Sequence, residues 1–415
     1  MTDAPLSRRG GVMLGIAGIL LIAATLRLPV GALSPLAPII DGDIALSATA
    51  LGVLGMLPPV GFAVAGLSAP LVARRWGLER TLVVAIVAML AGHLLRAAAP
   101  DFVVLVLGSL LLLLGAGFGN VLLPSAVKRF TPLSIGPMTA AYATIMSLGS
   151  AVPPLLAVPL ADDVSWRFSL ASWSLVVVVA LVPWIALVVR AARAASRRTA
   201  DDDARDAALT PPDTHRFAQL ARSRTVWGIT IPFTVSSISA YVTFALLPVM
   251  LQDLTGMSSG EAGSLLALFA ITGVPLALVA PVLTTRLRTP TPVLLASMLL
   301  FGLGYAGLLV APSLAPVLWV AAIGFGQVTF PMCLALFSQR TRSAENAANV
   351  SGFVQTIGYA VAAVSPLIIG SLHEVTGSWS ASLVVMLVVV SATIPSMALL
   401  ARGTTVEGEL GERLA

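Results

Sequence analysis

One arginine stands inside the first long apolar run of the chain. Arg27 lies between Leu26 and Leu28, about midway along that run. If the run crosses a bilayer, an arginine at its centre costs about 2.5–3.5 kcal/mol on insertion scales. No aspartate or glutamate falls inside a predicted span where it could neutralise this charge. Because a guanidinium forms bidentate hydrogen bonds to anionic groups, Arg27 is predicted to contact an anionic or electron-rich ligand. The alternative is that it fastens neighbouring helices through their carbonyls.

Seven further residues place amide, phenol or aromatic groups inside apolar runs and are candidate substrate contacts. They are Asn120, Tyr142, Tyr241, Phe244, Gln327, Gln355 and Tyr359. Gln355 and Tyr359 are four residues apart, so they share a helix face. The amides of Asn120 and Gln327 are as well suited to hydrogen bonds across the interface between the two domains as to substrate binding.

Histidine, cysteine and the remaining buried-run arginines offer less chemistry. His93 falls inside a predicted span and is a candidate for proton coupling, although a neutral, hydrogen-bonded histidine is the simpler interpretation. The three histidines are scattered and Cys333 is the single cysteine, so neither a metal site nor a disulfide is expected. No cofactor is expected either. Arg96 and Arg167 lie near helix ends, where we expect them to be interface anchors.

The composition indicates that the chain is surrounded by lipid and not by water. The chain of 415 residues is 57% hydrophobic and 10% charged, whereas an average soluble domain is about 25% charged. Such a chain cannot cover its apolar surface in water, so the lipid bilayer is its expected partner. The basic residues form no patch interleaved with aromatics, and no nucleic-acid partner is expected. The apolar stretch after residue 10 is too long for a cleavable signal peptide and is read as a retained first span.

Twelve apolar runs are long enough to cross a bilayer as helices. They fall near residues 11–40, 47–73, 80–98, 102–126, 135–160, 168–190, 225–251, 260–284, 291–311, 314–338, 346–371 and 380–402. Prolines and glycines interrupt the second and the eighth. The polar segment 191–224 is predicted to be a flexible cytoplasmic linker. It separates an N-terminal six-helix bundle, residues 1–190, from a C-terminal bundle with a short tail, residues 225–415.

The lysines and arginines predict the orientation. Of 24 such residues, 21 fall in the tails and loops of one side, which the positive-inside rule identifies as cytoplasmic. We therefore expect a multi-pass protein of the inner membrane with both termini in the cytoplasm.

The two halves repeat each other. Residues 117–124 read GFGNVLLP and residues 324–331 read GFGQVTFP, with five of eight positions identical. Ser47 and Gly52 match Ser258 and Gly263 in the same order, and other matches keep similar offsets. An internal repeat in an apolar chain is typical of alternating-access transporters.

Several segments resemble a known family. Residues 70–80, PLVARRWGLER, resemble the loop that follows the second span in the major facilitator superfamily. Arg75 and Gly77 match that motif, whereas Arg74 stands where the family has an acid that helps to lock the inner gate. Residues 26–36, 120–130 and 352–379 resemble its cyanate and 2-nitroimidazole transporter family. The resemblance implies an all-α membrane protein with twelve helices in two pseudo-symmetric six-helix bundles and a first span that lines the cavity. It also implies that Arg74, Arg75 and Gly77 form a gating loop.

Secondary transport is the predicted function, since no set of catalytic residues or nucleotide-binding loop is recognisable and we expect no enzyme. Two hypotheses stay open. The first is transport of a small anion such as cyanate, with Arg27 as the anion contact and a proton as a possible coupled ion. The second is export of small nitroheteroaromatic or drug-like compounds. Symport and antiport are both compatible with the residues, and a monomer is expected.

Overall fold

The computed structural model describes residues 5–195, 219–287, 289–342, 344–401 and 403–410. Within them, twelve helical segments are long and apolar enough to cross a membrane. They are Gly10–Asp41, Ala48–Ala73, Leu78–Ala97, Phe102–Val127, Ala141–Asp163, Trp166–Ala192, Arg224–Thr255, Ser259–Ala280, Thr291–Val310, Pro316–Phe337, Asn349–Thr376 and Trp379–Leu400. The predicted all-α membrane architecture is confirmed.

In the first half, the first span is interrupted and most of the others are continuous. It consists of Pro5–Thr25, Leu28–Gly31, a 3-10 turn at Ser34–Leu36, and Ala37–Asp41. The remaining helices are Ala48–Trp76, Leu78–Ala97, Phe102–Phe130, Ile135–Asp163, Trp166–Ser172 and Ser174–Ala195. The predicted interruption of the second span is wrong. Its helix runs unbroken through its prolines, as membrane helices can when their surroundings satisfy the freed carbonyls.

In the second half, three spans change direction or tighten at an internal turn. The helices are Arg224–Thr255, Ser259–Ile271, Gly273–Arg286, Thr291–Val310, Pro316–Gly326, Thr329–Gln339, Ala344–Thr376, Trp379–Ser391, Ile394–Leu400 and Val406–Leu410. The predicted interruption of the eighth span is confirmed and lies at Thr272.

Short polar residues and glycines set where many helices start and stop. Asp101 accepts a hydrogen bond from the Val104 N–H at 2.9 Å and so caps the fourth span. Ser258 and Glu261 form a reciprocal capping box at the start of the eighth. Gly256 ends the seventh span with φ +72°, a left-handed conformation that glycine adopts without strain.

The chain forms two compact units. One comprises Met1–Ala45 and Val60–Pro211, and the other comprises Leu46–Pro59 and Pro212–Ala415. The start of the second span thus belongs to the second unit. Most of the predicted linker, residues 191–224, lies outside the described residues.

Each unit has its own apolar core. Leu82, Ile86, Met89, Leu112 and Trp184 are among the fully buried residues of the first core. In the second, the fully buried residues include Phe233, Leu294, Met332, Val350 and Val354.

Equivalent contacts recur in the two units, which supports the repeat. The Trp166 indole N–H donates to Asp43 Oδ2 at 2.9 Å, and the Trp379 indole N–H donates to Asp253 Oδ2 at 2.7 Å. The aspartates are 210 positions apart (253 − 43) and the tryptophans 213 (379 − 166). In each unit, this bond joins the end of the first helix of the repeat to the start of its sixth.

A short helix after the last span closes over the ends of two others. The Glu409 carboxylate accepts hydrogen bonds from Ser223 Oγ and the Thr225 N–H, both at 2.9 Å, at the start of the seventh span. The Glu407 carboxylate accepts from the Arg342 N–H and from Asn346 Nδ2, both at 2.8 Å, at the start of the eleventh. We call this segment, Val406–Leu410, the tail clamp.

The tail clamp holds its carboxylates in the charged form. Desolvation alone would raise the pKa of Glu409, but hydrogen bonds from the Thr225 and Arg224 backbone and the Ser223 side chain outweigh it. The pKa of Glu407 is likewise lowered, because desolvation is outweighed by hydrogen bonds from Arg342 and Asn346.

Candidate functional site

Arg27 lies where the helix of the first span is interrupted. The helix Pro5–Thr25 ends two residues before it, and the next begins at Leu28 with Pro29 in its first turn. Because proline has no N–H and fixes φ, it is favoured in the first turn of a helix and weakens a helix interior. Pro29 thus accounts for the local irregularity beside the charge.

The surroundings of Arg27 leave its hydrogen-bond donors unused. The side chain is half-buried, and its guanidinium carbon lies 5.5 Å from the centre of the Phe62 ring. A cation over an aromatic ring is stabilised by roughly 0.5–2 kcal/mol. In the described part of the chain, no hydrogen bond or ion pair to the Arg27 side chain is present. The guanidinium can therefore accept a ligand without first breaking a bond to the protein.

Glycines bring the fourth span close to this break. A Cβ atom at Gly119 would lie 2.6 Å from Leu26 Cδ2, and one at Gly117 would lie 3.2 Å from Phe62 Cδ1. Small residues allow such close approach of membrane helices. Since Gly119 packs against Leu26, Asn120 and Arg27 lie in the same region of the first unit. The Asn120 side chain is half-buried and makes no hydrogen bond to the described residues.

The first unit contains two other candidates, of which Tyr142 is half-buried and packs against the same apolar core as Leu26 and Phe62. His93 is 1% exposed, and its Nε2 has no hydrogen-bond partner among the described residues. The expectation that Arg96 is an interface anchor is wrong, because it is 2% exposed and packs against Gly108. The apolar sequence around Arg96 did not reveal which face of the helix is buried.

The second unit brings its two candidate tyrosines together. The ring of Tyr359 lies 6.2 Å from that of Tyr241 and 5.3 Å from that of Phe233, each in an edge-to-face arrangement. Phe244 instead faces Phe269 of the eighth span at 5.3 Å. The Gln355 amide, one turn from Tyr359, donates to Ser351 Oγ at 2.6 Å.

Gln327 is engaged within the protein, unlike its repeat partner Asn120. Its amide is hydrogen-bonded to the Ser236 hydroxyl of the seventh span. With the amide reversed, the nitrogen donates to Ser236 and the oxygen accepts from the Ala240 N–H at 3.2 Å. This hydrogen bond joins two helices of the second unit, and both roles of Gln327 stay predictions.

The loop after the second span contains an ion pair that the motif did not predict. Gly77 has φ +84°, Arg75 is exposed, and the side chain of Arg74 lies outside the described residues. Glu79, in the first turn of the third span, lies 3.1 Å from Arg129 at the end of the fourth. An acid is thus present in this loop, five positions beyond Arg74, and it pairs with a residue of the same unit.

The aromatic and acidic pairs at the other ends of the spans were also missed. Arg167 lies 4.0 Å from the centre of the Trp166 ring and 3.7 Å from Asp43. In the second unit, His373 stacks on Trp379 with ring centres 3.8 Å apart. The repeated Ser-Trp dipeptides at 165–166 and 378–379 could have indicated this equivalence. As for metals, the described side chains include no group of three ligating residues that could hold an ion.

Comparison with known proteins identifies the relatives of the chain. The family model for the Major Facilitator Superfamily matches residues 19–366 and 233–413. The chain is 31% identical to the 2-nitroimidazole transporter of Escherichia coli (strain K12) over 371 residues, which cover 89% of this chain and 90% of the relative. It is 26% identical to the cyanate transport protein CynX of the same organism over 366 residues, covering 87% and 90%.

Solved structures show the same fold. A bacterial homolog of the human lysosomal transporter Spinster superposes with a TM-score of 0.73 at 15% sequence identity, covering 95% of this chain and 97% of that chain. At this identity the likeness concerns the fold alone.

Proposed function

Because the chain belongs to the Major Facilitator Superfamily, we propose that this membrane transporter carries a small anionic or polar solute, cyanate-like in size, by alternating access. It is a transporter and not an enzyme, as its relatives and fold are those of transporters. In the proposal, the Arg27 guanidinium binds the anionic group of the solute. The solute crosses the inner membrane, with both termini of the protein in the cytoplasm.

The observation that carries the proposal is the unused charge of Arg27. Burial of a charged side chain within a span is unfavourable in free energy unless a counter-charge or hydrogen bonds compensate for it. Within the described residues, Phe62 supplies an aromatic face but no counter-charge. An anion would supply that counter-charge and accept two parallel hydrogen bonds from the planar guanidinium.

Asn120 is the proposed polar partner of Arg27 in the first unit. Its amide can donate to or accept from a solute, and its neighbour Gly119 packs against Leu26, which precedes Arg27. In the second unit, Tyr241 and Tyr359 are the proposed aromatic contacts, with Phe244, Gln327, Gln355 and Tyr142 as weaker candidates. His93 is retained as a candidate for proton coupling.

The test uses purified protein in phospholipid vesicles with radiolabelled cyanate as the first probe. Hydrogen bonds to charged groups contribute about 1.5–3 kcal/mol, so we expect Arg27→Ala to lower uptake by roughly ten- to a hundredfold. Arg167→Ala is the matched control, since it removes an arginine that is 41% exposed at a helix end. Equal uptake by Arg27→Ala and wild type, with equal protein in the vesicles, would exclude Arg27 as the contact.

A second candidate substrate class is the small nitroheteroaromatics. It is favoured by the 31% identity to a 2-nitroimidazole transporter over most of the chain. Nitro oxygens also accept hydrogen bonds from a guanidinium, and the Phe62 ring beside Arg27 offers an apolar face for a planar ring. Cells that express the protein and grow in toxic 2-nitroimidazole distinguish the directions: protection indicates export, and sensitisation indicates entry.

A further inference from the structure

We propose that His373 is a proton-binding site of this transporter, with Asp253 as its counter-charge. The proposal rests on the proposed transport function and assigns to it a coupled proton. It assigns proton binding to His373, near the end of the eleventh span, and not to His93, the candidate that the sequence indicated.

The geometry around His373 suits a proton. Its Nε2 lies 3.9 Å from Asp253 Oδ2, near enough for charge attraction but beyond hydrogen-bonding distance. Its Nδ1 is buried and has no hydrogen-bond partner among the described residues. The ring stacks on Trp379, whose indole donates to the same Asp253 oxygen. A proton on the imidazole would therefore gain both an ion pair and a cation–π contact.

In the first unit, a permanent cation contacts the equivalent tryptophan and aspartate. There, Arg167 lies over Trp166 and 3.7 Å from Asp43, and Trp166 donates to that aspartate. Both units thus combine a tryptophan, an aspartate bonded to its indole, and a cationic side chain against its ring. Arginine stays charged at all physiological pH values, whereas histidine changes its charge near neutrality. The two units therefore place a fixed and a titratable basic side chain against equivalent tryptophan–aspartate pairs, from positions that the repeat does not relate, since the tryptophan offset of 213 pairs Arg167 with Ser380 (167 + 213).

Two acidic residues face His373. One of them links it to the start of the second span, which belongs to the same unit. Asp253 faces it from the seventh span and Glu374 is its neighbour on the eleventh, where the two side chains interact electrostatically. The Glu374 carboxylate accepts from the Thr49 N–H at 2.8 Å and from Thr49 Oγ1 at 2.6 Å. Trp379 of the twelfth span is neutral. A proton on His373 would act on both carboxylates, one of which holds the first turn of Ala48–Trp76.

His93 has less favourable surroundings for a proton. It is 1% exposed, whereas the His373 side chain is 21% exposed. The charged neighbour that acts on His93 is Arg96, which repels a proton, and no acid among the described residues forms an ion pair with it. The two histidines can thus be separated by experiment.

The first experiment measures proton movement directly. Vesicles of phosphatidylethanolamine and phosphatidylglycerol contain the trapped pH dye pyranine, and cyanate and 2-nitroimidazole are added in turn as probes. Wild type is expected to move protons with the transported probe. In His373→Gln, we expect the ratio of proton to probe movement to fall at least tenfold. We expect the same fall in His373→Arg, because arginine stays charged and cannot release a proton. His215→Gln, a histidine outside the described residues, is the control. An unchanged ratio, or rates of both movements that fall in proportion, would overturn the proposal.

The second experiment needs no substrate and separates this inference from the proposed function. In a His93→Gln/His215→Gln background, His373 is the sole histidine, and nuclear magnetic resonance of isotope-labelled imidazole in lipid nanodiscs reports its protonation. We expect one titration step between pH 5 and 8 whose midpoint changes in Asp253→Asn. An imidazole that does not titrate there, or one indifferent to Asp253, would refute the proton site. If neither probe is transported although His373 titrates as expected, the proposed substrate class would be refuted instead.

Discussion

Arg27 and Ser237 occupy equivalent positions in the two repeats. The offset of 210 that relates Asp43 to Asp253, each of which accepts from a tryptophan indole, also relates Arg27 to Ser237 (253 − 43 and 237 − 27). Ser237 is 2% exposed, lies in an unbroken helix, and its hydroxyl has no partner among the described residues. The charge is therefore a property of one half only.

Replacement of Arg27 by an apolar residue of similar length is expected to separate stability from transport. Since the bilayer disfavours the charge by about 2.5–3.5 kcal/mol on insertion scales, Arg27→Met should keep or raise the melting temperature while uptake of cyanate is lost. Arg27→Lys should restore little uptake, because an ammonium cannot reproduce the planar fork. Thermal unfolding in detergent and vesicle uptake are measured on the same preparations. A coupled loss of folding and uptake in Arg27→Met would show that the arginine is structural.

Removal of the Glu79–Arg129 ion pair should loosen the contact between the start of the third span and the end of the fourth. The pair is partly exposed, so we expect a coupling free energy of only about 0.5–1 kcal/mol. A double-mutant cycle with Glu79→Gln and Arg129→Gln measures it from the free energy of unfolding. Arg80→Gln, an exposed neighbour, is the control. A coupling energy of zero would mean that the 3.1 Å contact does not stabilise the loop.

The tail clamp is expected to lose its contribution as the solution becomes acidic. The folded-state pKa values of Glu407 and Glu409 lie below their usual value, so each carboxylate stabilises the fold above the unfolded pKa, about 4.3. That contribution disappears as the pH falls through the lowered folded-state value. Glu409→Gln should therefore lower the melting temperature by roughly 1–2 °C at pH 7 and by less at pH 4.

A carboxylate without such bonds provides the control for the clamp. Asp162 is exposed and makes no hydrogen bond within the described residues. Asp162→Asn should leave the melting temperature unchanged at both pH values. A loss in Glu409→Gln that is the same at pH 7 and pH 4 would contradict a role for its charge.

Close packing of the fourth span should make Gly117 intolerant of a side chain. A Cβ atom there would lie 2.7 Å from the Ala65 Cβ and 2.9 Å from the Gly61 carbonyl oxygen, neither of which can rotate away. Overpacking costs about 1–3 kcal/mol, and we expect Gly117→Ala to destabilise the protein in that range. Gly302→Ala is the matched control, because a Cβ atom at Gly302 would meet no other atom within 4 Å. Equal melting temperatures of the two variants would show that the helices can move apart.

The spans, the repeat and the break at Arg27 could be predicted from the sequence because each has a local cause. A bilayer crossing needs about 20 apolar residues, and Pro29 lacks a backbone donor and so disfavours a continuous helix beside Arg27. The continuity of the second span could not be predicted, since it depends on the packing around its prolines. The pairing of Glu79, in the first turn of the third span, with Arg129 could not be predicted, since it joins residues fifty positions apart (129 − 79).

Contacts between distant residues could not be predicted in the candidate site. Phe62 carries no polar atom and lies in an apolar run, so nothing marked it as the neighbour of Arg27. His373 was placed beyond the eleventh span, predicted to end at residue 371, whereas the helix Ala344–Thr376 continues past it. Burial of Arg96 was missed because helices that are apolar on every face do not reveal which side meets protein and which meets lipid.

The position of the tail clamp has a practical consequence for anyone who expresses this protein. Its residues Val406–Leu410 secure two helix starts, so an affinity tag or fluorescent reporter fused directly behind them would compete for the same space. A flexible spacer beyond residue 415 would avoid that interference. Truncation of the chain before residue 406 should lower the yield of purified protein and shorten the time for which it stays folded in detergent.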